Sequence, residues 1–398
     1  MAIPRAGADE TTAALGKRRA AAGAGDGGEP SARPLRHGYT TGACAAAATK
    51  AATLALVTQR PVAAVTIPLP AGIEATFPVE DLSYSADAAR CCVVKDAGDD
   101  PDVTHGARIY ATVAWRDEPG VDIDGGPGVG RVTRPGLPVP VGEAAINPVP
   151  RRLIREAAEE VLAAHRVGRG VRVVISVPGG EEMAQKTLNP RLGIVGGVSI
   201  LGTRGIVVPY STAAYKASVA QAIRVAKANG CDHLVLTTGG RSETYARARF
   251  PHLPEVAFIQ MGDFVGFALQ HCRKQNVARV SLVGMMGKFS KVACGVMMVH
   301  AKSAPVDFAF LARLAAEAGA PPELVEAVRA ANTANQVGDL MREAGCAAFF
   351  ARLAEAISRQ CLRHVGGGLV VETVLVTLDG EDLGRAVVDG TEPTSGTD

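Results

Sequence analysis

Past about residue 200 the chain alternates short apolar runs with helical stretches, and this rhythm limits the fold more than any other feature. "HLVLTT", "VAFIQM" and "RVSLVGM" are separated by "SETYARARF" and "VGFALQHCRKQN". The runs are continuously apolar rather than alternating, the pattern of strands whose two faces are both covered by helices. A lead-in helix, "TAAYKASVAQAIRVAKANG", ends on Gly230 in the position where a helix closes through a left-handed residue. Several helices follow from Val306 to about Leu362, and "LVVETVLVTL" reads as a late strand.

Strands and helices alternating at this spacing predict a Rossmann-like α/β layer over residues 201–398. Residues 34–200 have a different rhythm. An Ala-rich helix, "CAAAATKAATLAL", precedes the strand candidates "VAAVTIPL", "EATFPV", "ARCCVVK" and "ARIYATVAW". "NPVPRRLIREAAEEVLAAH" then opens with Asn147 as N-cap and Pro148 at the first helical position, and "VRVVISVP" follows as a strand. Runs of strands with few helices predict an α+β domain. Residues 1–33, rich in Ala, Gly and charge, read as a disordered tail without the apolar core of a secretory signal. Their "GAGDGG" satisfies G-x-G-x-x-G at Gly23, Gly25 and Gly28, but no strand precedes it and no helix follows.

A formal net charge of +2 on 398 residues gives a nucleic-acid partner no electrostatic support. No run approaches the roughly 18 apolar residues of a membrane span. The eight cysteines contain no C-x-x-C pair, which removes zinc ribbons and thioredoxin-like motifs and suits reduced, mostly buried thiols in a cytoplasmic protein. Oligomeric state is left open, homo-oligomers included.

In open α/β sheets, ligands bind beyond the carboxyl ends of the strands. Three such ends read as glycine-bearing loops: "TTGGRSE", "MGDFVG" and "GMMGKFSK". Gly239 and Gly240 let backbone approach a ligand closely. Asp263 stands 24 residues after Gly239, as the acidic residue that clasps a ribose diol does in dinucleotide sites; the competing reading makes it the cap of the next helix. The third loop offers Gly284 and Gly287. A phosphate loop of the G-x-x-x-x-G-K-[ST] type is rejected, because Leu282 replaces its first glycine and Phe289 its Ser/Thr. The three loops together favour a nucleoside-type ligand without separating a nicotinamide cofactor from S-adenosylmethionine.

The first half contributes cations in loops. "GGPGVGRVTRPGLPVPVG" carries Arg131 and Arg134, and "MAQKTLNPRLGIVGGVSILGTRGIV" adds Lys186, Arg191 and Arg204. Guanidiniums on a glycine-rich support suit bidentate capture of carboxylates, so an acidic small molecule fits better than a polymer. "KDAGDDPDVTHG" gathers Asp96, Asp99, Asp100, Asp102 and His105. These are hard-metal ligand types, yet Asp-Asp-Pro-Asp is also turn chemistry and the ligand ladder of an EF-hand is absent. A turn that sets Asp or His near substrate, with no metal of its own, is the reading taken.

"GYTTGACAAAATKAA", "KDAGDDPDVTHGA", "GVGRVTRPGLPVPVGEAAINPVPR", "VPGGEEMAQKTLNPRLGIVGGVSILGTRGIV", "MGDFVGFAL" and "GMMGKFSKVACG" together resemble the CbiD family over about residues 34–380. Ala43 stands where that family's pattern has Thr after "TTG". The resemblance implies an S-adenosylmethionine-dependent C1-methyltransferase acting on cobalt-precorrin-5B in anaerobic cobalamin biosynthesis. Cobalt would then arrive only inside the corrinoid substrate. It also implies an N-terminal domain like ribosomal protein S5 domain 2 ahead of the Rossmann-like one. On that basis Gly239, Gly240, Asp263, Gly284 and Gly287 are expected to hold the donor. Arg131, Arg134, Lys186 and Arg191 are expected to meet the macrocycle's carboxylates, and Asp100 or His105 to accept a proton. A small-molecule phosphotransferase and a non-catalytic corrinoid carrier are the two other classes weighed.

Overall fold

Residues 33–391, described by a computed structural model, form a mixed α/β protein of two compact units that divide between Ser211 and Thr212. All but the last residue of the expected tail, with the Gly23, Gly25 and Gly28 match, lies outside the described residues.

The first unit opens with strand β1 (Gly38–Tyr39) and helix α1 (Thr41–Thr58). Thr40 caps α1, its hydroxyl accepting from the Ala43 amide at 3.2 Å. The helix is alanine on every side because it is buried on nearly every side, packing on two central strands and on helix α2. Among the described residues it is the one helix long and apolar enough to cross a membrane, and 78% of it is buried inside the protein. A hairpin, β2 (Ala64–Leu69) with β3 (Ile73–Pro78), leads into β4 (Glu80–Tyr84), β5 (Ala88–Val94), β6 (Arg108–Arg116) and β7 (Val121–Gly125). Two-residue pieces β8 (Gly128–Val129) and β9 (Arg131–Val132) precede α2 (Pro148–Ala164) and β10 (Gly170–Ser176). The short helices α3 (Gly180–Ala184) and α4 (Asn189–Leu192) and strands β11 (Ile194–Val195), β12 (Gly197–Val198) and β13 (Ile206–Val207) complete the unit.

Its main sheet runs β4-β5-β6-β10-β7, antiparallel except for the β10–β7 pair. Val113, Val173 and Ile123 stand level across three strands of the core. One expected detail fails: Asn147 occupies the cap position of α2, but its side chain makes no capping bond, so Pro148 alone carries the start signal.

The second unit begins with α5 (Thr212–Ala228). Gly230 follows at φ +79°; its amide reaches the Lys227 carbonyl and that of Cys231 the Ala226 carbonyl, the paired bonds of a Schellman closure. Then come β14 (His233–Thr237), α6 (Gly240–Arg249), β15 (Phe258–Gln260), α7 (Val265–Lys274), β16 (Arg279–Met285) and α8 (Met286–Ala293). Helices α9 (Phe308–Glu317), α10 (Pro322–Arg329), α11 (Ala334–Glu343) and α12 (Ala347–Val365) precede β17 (Val370–Val376) and β18 (Asp382–Asp389). The sheet order is β15-β14-β16-β17-β18; the first four strands are parallel and the last antiparallel. Leu234, Val235 and Leu236 are all fully buried, so both faces of the sheet are covered, as the continuous apolar runs required.

One face of this sheet buries a polar cluster. Glu372 on β17 is 0% exposed and accepts from Arg279 Nη2 (2.7 Å), Ser281 Oγ (2.6 Å) and Arg385 Nε. Burial alone would raise its pKa, but these donors outweigh burial and hold it below the usual carboxylate value. His233 Nε2 lies 2.7 Å from Ser281 Oγ, and burial followed by the nearby Arg279 charge lowers its pKa to about 4.

Candidate functional site

Numbered within the second unit, the strand order is 2-1-3-4-5, which reverses direction between β14 and β16. The crevice at such a reversal, beyond the carboxyl ends, is where open α/β sheets place ligands. Register fixes what stands there. Thr237 is level with Gln260 on one side and Val283 on the other, so the segments after Thr237, Gln260 and Val283 leave the sheet side by side.

The first segment turns directly into a helix. Gly239 caps α6, and the Ser242 hydroxyl accepts the amides of Thr238 (3.1 Å) and Gly239 (3.2 Å). Gly239 is extended, and a Cβ there would meet no atom within 4 Å. Its missing side chain therefore leaves open space, with α6's first amides behind it. Gly240 is the first residue of that helix.

Asp263 follows β15. It does not cap the next helix, whose cap position belongs to Phe264. Its buried Oδ1 lies 2.9 Å from Lys288 Nζ, an ion pair whose angles fall outside hydrogen-bond geometry, so the oxygen accepts no well-aligned hydrogen bond. The ammonium offsets part of its lost hydration, and the lone pairs left without an aligned donor can accept a ligand hydroxyl. Beside it stands Tyr215, which sequence reasoning missed because one aromatic at a helix start carries no signal. Tyr215 Oη donates to the Gln260 carbonyl (3.3 Å), and its ring packs 5.5 Å from that of Phe264. Burial and then the Asp263 charge raise its phenol. The side chain remains 40% exposed, leaving ring surface free.

The third expected loop is not a loop. β16 runs straight into α8, so Gly287 belongs to the first turn of a helix. Gly284 lies within the strand, and a Cβ there would come within 2.7 Å of the buried Phe289 ring. Packing accounts for Gly284. Gly287 is different: nothing lies within 4 Å of its Cβ position, and it borders a cavity of about 320 Å³.

In the first unit, pairing of β9 with β11 brings Arg131 level with Val195, drawing the Arg131–Arg134 loop against the Arg191 segment. Arg131 already binds Asp124 at 2.9 Å and 3.0 Å and reaches the carbonyls of Gly142 and Gly125. Arg134 lies along Gly193, with Nη1 at 3.5 Å from the Arg191 carbonyl. Lys186 is exposed just after α3, its amide donating to the Met183 carbonyl at 3.1 Å.

The Asp-rich turn spends its carboxylates on the fold. Asp96 takes the Arg36 guanidinium, which holds its pKa down at about 2, and Asp99 accepts the Arg36 amide at 2.7 Å. Asp100 Oδ1 accepts from the Tyr210 amide at 2.9 Å. Asp102 binds the buried Lys95 at 2.7 Å and the Thr104 amide and hydroxyl. His105 Nδ1 accepts from the Ala97 amide at 3.1 Å, which leaves its proton on the exposed Nε2. Gly98, at φ +67°, lets strand β1 cross here; a Cβ would sit 2.2 Å from the Arg36 carbonyl oxygen. Among the described residues no three His, Cys, Asp or Glu side chains group as a metal site. Burial pushes the thiols of Cys44, Cys91 and Cys272 up to about 12, so none is a thiolate nucleophile near neutral pH.

Comparison with known proteins places these features. The CbiD family profile matches residues 29–209, and the profile of the CbiD C-terminal domain matches residues 298–387. The chain is 66% identical to a protein of Geobacillus kaustophilus over 363 residues, covering 91% of this chain and 98% of that one. It is 62% identical to one from Priestia megaterium, covering 90% and 98%, and 44% identical to one from Leptospira interrogans, covering 89% and 96%. All three are named cobalt-precorrin-5B C(1)-methyltransferase. A crystal structure of the cobalamin biosynthesis protein cbiD from Archaeoglobus fulgidus shares 28% identity over 78% of this chain and 85% of that one, with a TM-score of 0.36.

Proposed function

This chain belongs to the CbiD family, and from that premise we infer that it methylates C1 of cobalt-precorrin-5B, giving cobalt-precorrin-6A in cobalamin biosynthesis. The methyl donor is S-adenosyl-L-methionine, seated along the carboxyl edge of the second unit's sheet. The buried Asp263 Oδ1 at the reversal point, paired with Lys288 but without an aligned hydrogen-bond donor, carries this reading, because a ribose hydroxyl supplies the hydrogen bond it lacks. Gly239 and Gly240 offer open backbone to the adenosyl part, and Tyr215 offers a ring face to the base. Gly287 faces the methionine end, while Gly284 serves the packing of Phe289.

When bound, the donor supplies an electrophilic methyl on a sulfonium. The protein's task is alignment and exclusion of water, with the reacting atoms about 3–3.5 Å apart. No covalent nucleophile is called for, consistent with thiols held protonated by burial. The macrocycle's carboxylates meet Arg134, Lys186 and Arg191, with Arg131 orienting them while tied to Asp124. His105 and Asp100 are the groups offered for proton movement: with Nδ1 engaged by the Ala97 amide, His105 Nε2 can hand a proton on, and the Asp100 carboxylate can accept one. Cobalt enters as part of the substrate.

The fold reading goes with this assignment: a Rossmann-like second domain, supported by the parallel 2-1-3-4 order, and an S5 domain 2-like first domain, supported by the largely antiparallel sheet under α1 and α2. A cytoplasmic location suits a corrinoid enzyme with reduced cysteines. Anaerobic incubation with S-adenosyl-L-methionine and cobalt-precorrin-5A or -5B, read by mass spectrometry, tests the reaction. A product one methyl heavier, formed without ATP or nicotinamide, is expected. Magnesium-dependent consumption of ATP would replace this reading with phosphotransfer, and tight pigment binding without methyl gain would replace it with a carrier.

A further inference from the structure

The cavity of about 320 Å³ beside Gly287 is lined by a buried lysine that no carboxylate pairs among the described residues. Lys291, one turn along α8 from Gly287, is only 7% exposed and lines the cavity. Its Nζ reaches two carbonyl oxygens, those of His300 at 3.3 Å and Ala301 at 3.5 Å, both long. Among the described residues no carboxylate lies within ion-pairing distance of it. A buried ammonium without a counter-ion is costly, and folds normally pair it or let it neutralise.

Another part of the lining has the same polarity. Asn332, Thr333, Ala334 and Asn335, at the start of the ten-residue helix α11, border the cavity. Thr333 Oγ1 caps the Gln336 amide at 3.1 Å, while the amides of Ala334 and Asn335 have no acceptor among the described residues. A buried cation thus lines the same space as free amides at the positive end of a helix dipole, a space large enough for a small polar group.

We propose that this cavity is a carboxylate-binding site in which Lys291 and the first amides of α11 receive the aminoacyl carboxylate of the methyl donor. The proposal rests on the donor reading above and deepens it. Gly287 lies three residues beyond Gly284, at the carboxyl edge where that reading seats the sulfonium end. The macrocycle's acetate and propionate arms carry the same chemistry, so the test separates the two sources.

Calorimetry on the full-length enzyme compares S-adenosylhomocysteine, its decarboxylated analogue and the corrinoid on wild type, K291M and K291Q. Methionine preserves the volume of the lysine stem and glutamine keeps a polar tip, so a misfolded first variant does not end the test. Loss of the charged contact weakens S-adenosylhomocysteine about 10- to 100-fold and leaves the decarboxylated analogue unchanged. The melting temperature of the unliganded variants stays level or rises, since an unbalanced buried charge has been removed. If the corrinoid weakens instead, with S-adenosylhomocysteine unchanged, the site stands and its carboxylate is the macrocycle's. Equal affinities for every ligand in wild type and both variants overturn the site, as does equal weakening of the carboxylate and decarboxylated forms. A wild type that binds the corrinoid but no S-adenosylhomocysteine refutes the donor reading alone, and the corrinoid arm then decides Lys291.

Discussion

Replacing Asp263 by alanine separates a ligand group from a structural one. In the free protein the carboxylate gives little to the fold. Its one close cation, Lys288 at 2.9 Å, is 42% exposed, and an ion pair of that kind contributes about 0–1 kcal/mol. That same Oδ1 is buried and receives no aligned hydrogen bond, a deficit the ion pair only partly offsets and an arriving hydroxyl relieves. Hydrogen bonds to a charged acceptor contribute about 1.5–3 kcal/mol each, so losing the ribose contacts costs about 2–4 kcal/mol of donor affinity. That corresponds to roughly 30- to 1,000-fold in Kd. Calorimetry with S-adenosylhomocysteine reads the change, and thermal melting of the free variant should move by no more than a few degrees. The 2′,3′-dideoxy analogue closes the cycle, since it should bind wild type poorly and D263A no worse. Refutation takes either of two forms: a Kd unchanged by D263A, or an analogue that loses as much affinity in the variant as in wild type.

Three further outcomes follow from the geometry. Gly239→Ala should leave the melting temperature in place and weaken the donor, because its Cβ meets only open space, whereas Gly284→Ala should lower the melting temperature by driving a methyl into Phe289; the opposite pattern would reverse their roles. Glu372→Gln strips the counter-charge from Arg279 and Arg385 and should cost about 3 kcal/mol in urea unfolding, with a loss under about 1 kcal/mol showing that solvent already balances the arginines. Acid should erode stability in two stages. His233 is depressed from 6.5 to about 4, so the unfolded chain binds the extra proton and stability falls as pH drops between those values. Glu372 and Asp102 are also depressed, so their contribution is present above the usual carboxylate range and disappears as pH falls through it. In denaturant titrations H233Q should flatten only the upper stage.

What the chain reveals in advance depends on how local the cause is. β16 was readable to the residue, Arg279–Met285, because seven consecutive residues fit a strand covered on both faces. The closure at Gly230 was readable because one glycine after a helical run decides it. β18 was not anticipated. It is an antiparallel edge strand in which Asp382, Gly384, Arg385 and Asp389 break up the apolar residues, and β4 escaped because Leu82 is its one aliphatic residue. "GMMGKFSK" misled because glycine suggests a turn, while the real reason for Gly284 is the ring of Phe289 folding back over it. The Asp-rich stretch was legible as a turn, but its partners were not, because they are distant in sequence: Arg36 for Asp96 and the Tyr210 amide for Asp100. Lys291 gave no signal at all, since its isolation from carboxylates exists only in three dimensions.

A crystal structure of the enzyme with S-adenosylhomocysteine tests the central claim most directly. The account predicts the ribose hydroxyls within hydrogen-bond distance of Asp263, the adenosyl group against the Gly239–Gly240 backbone, and the homocysteine end directed towards Gly287. Density for the nucleoside anywhere other than the carboxyl edge of β14, β15 and β16 would contradict it.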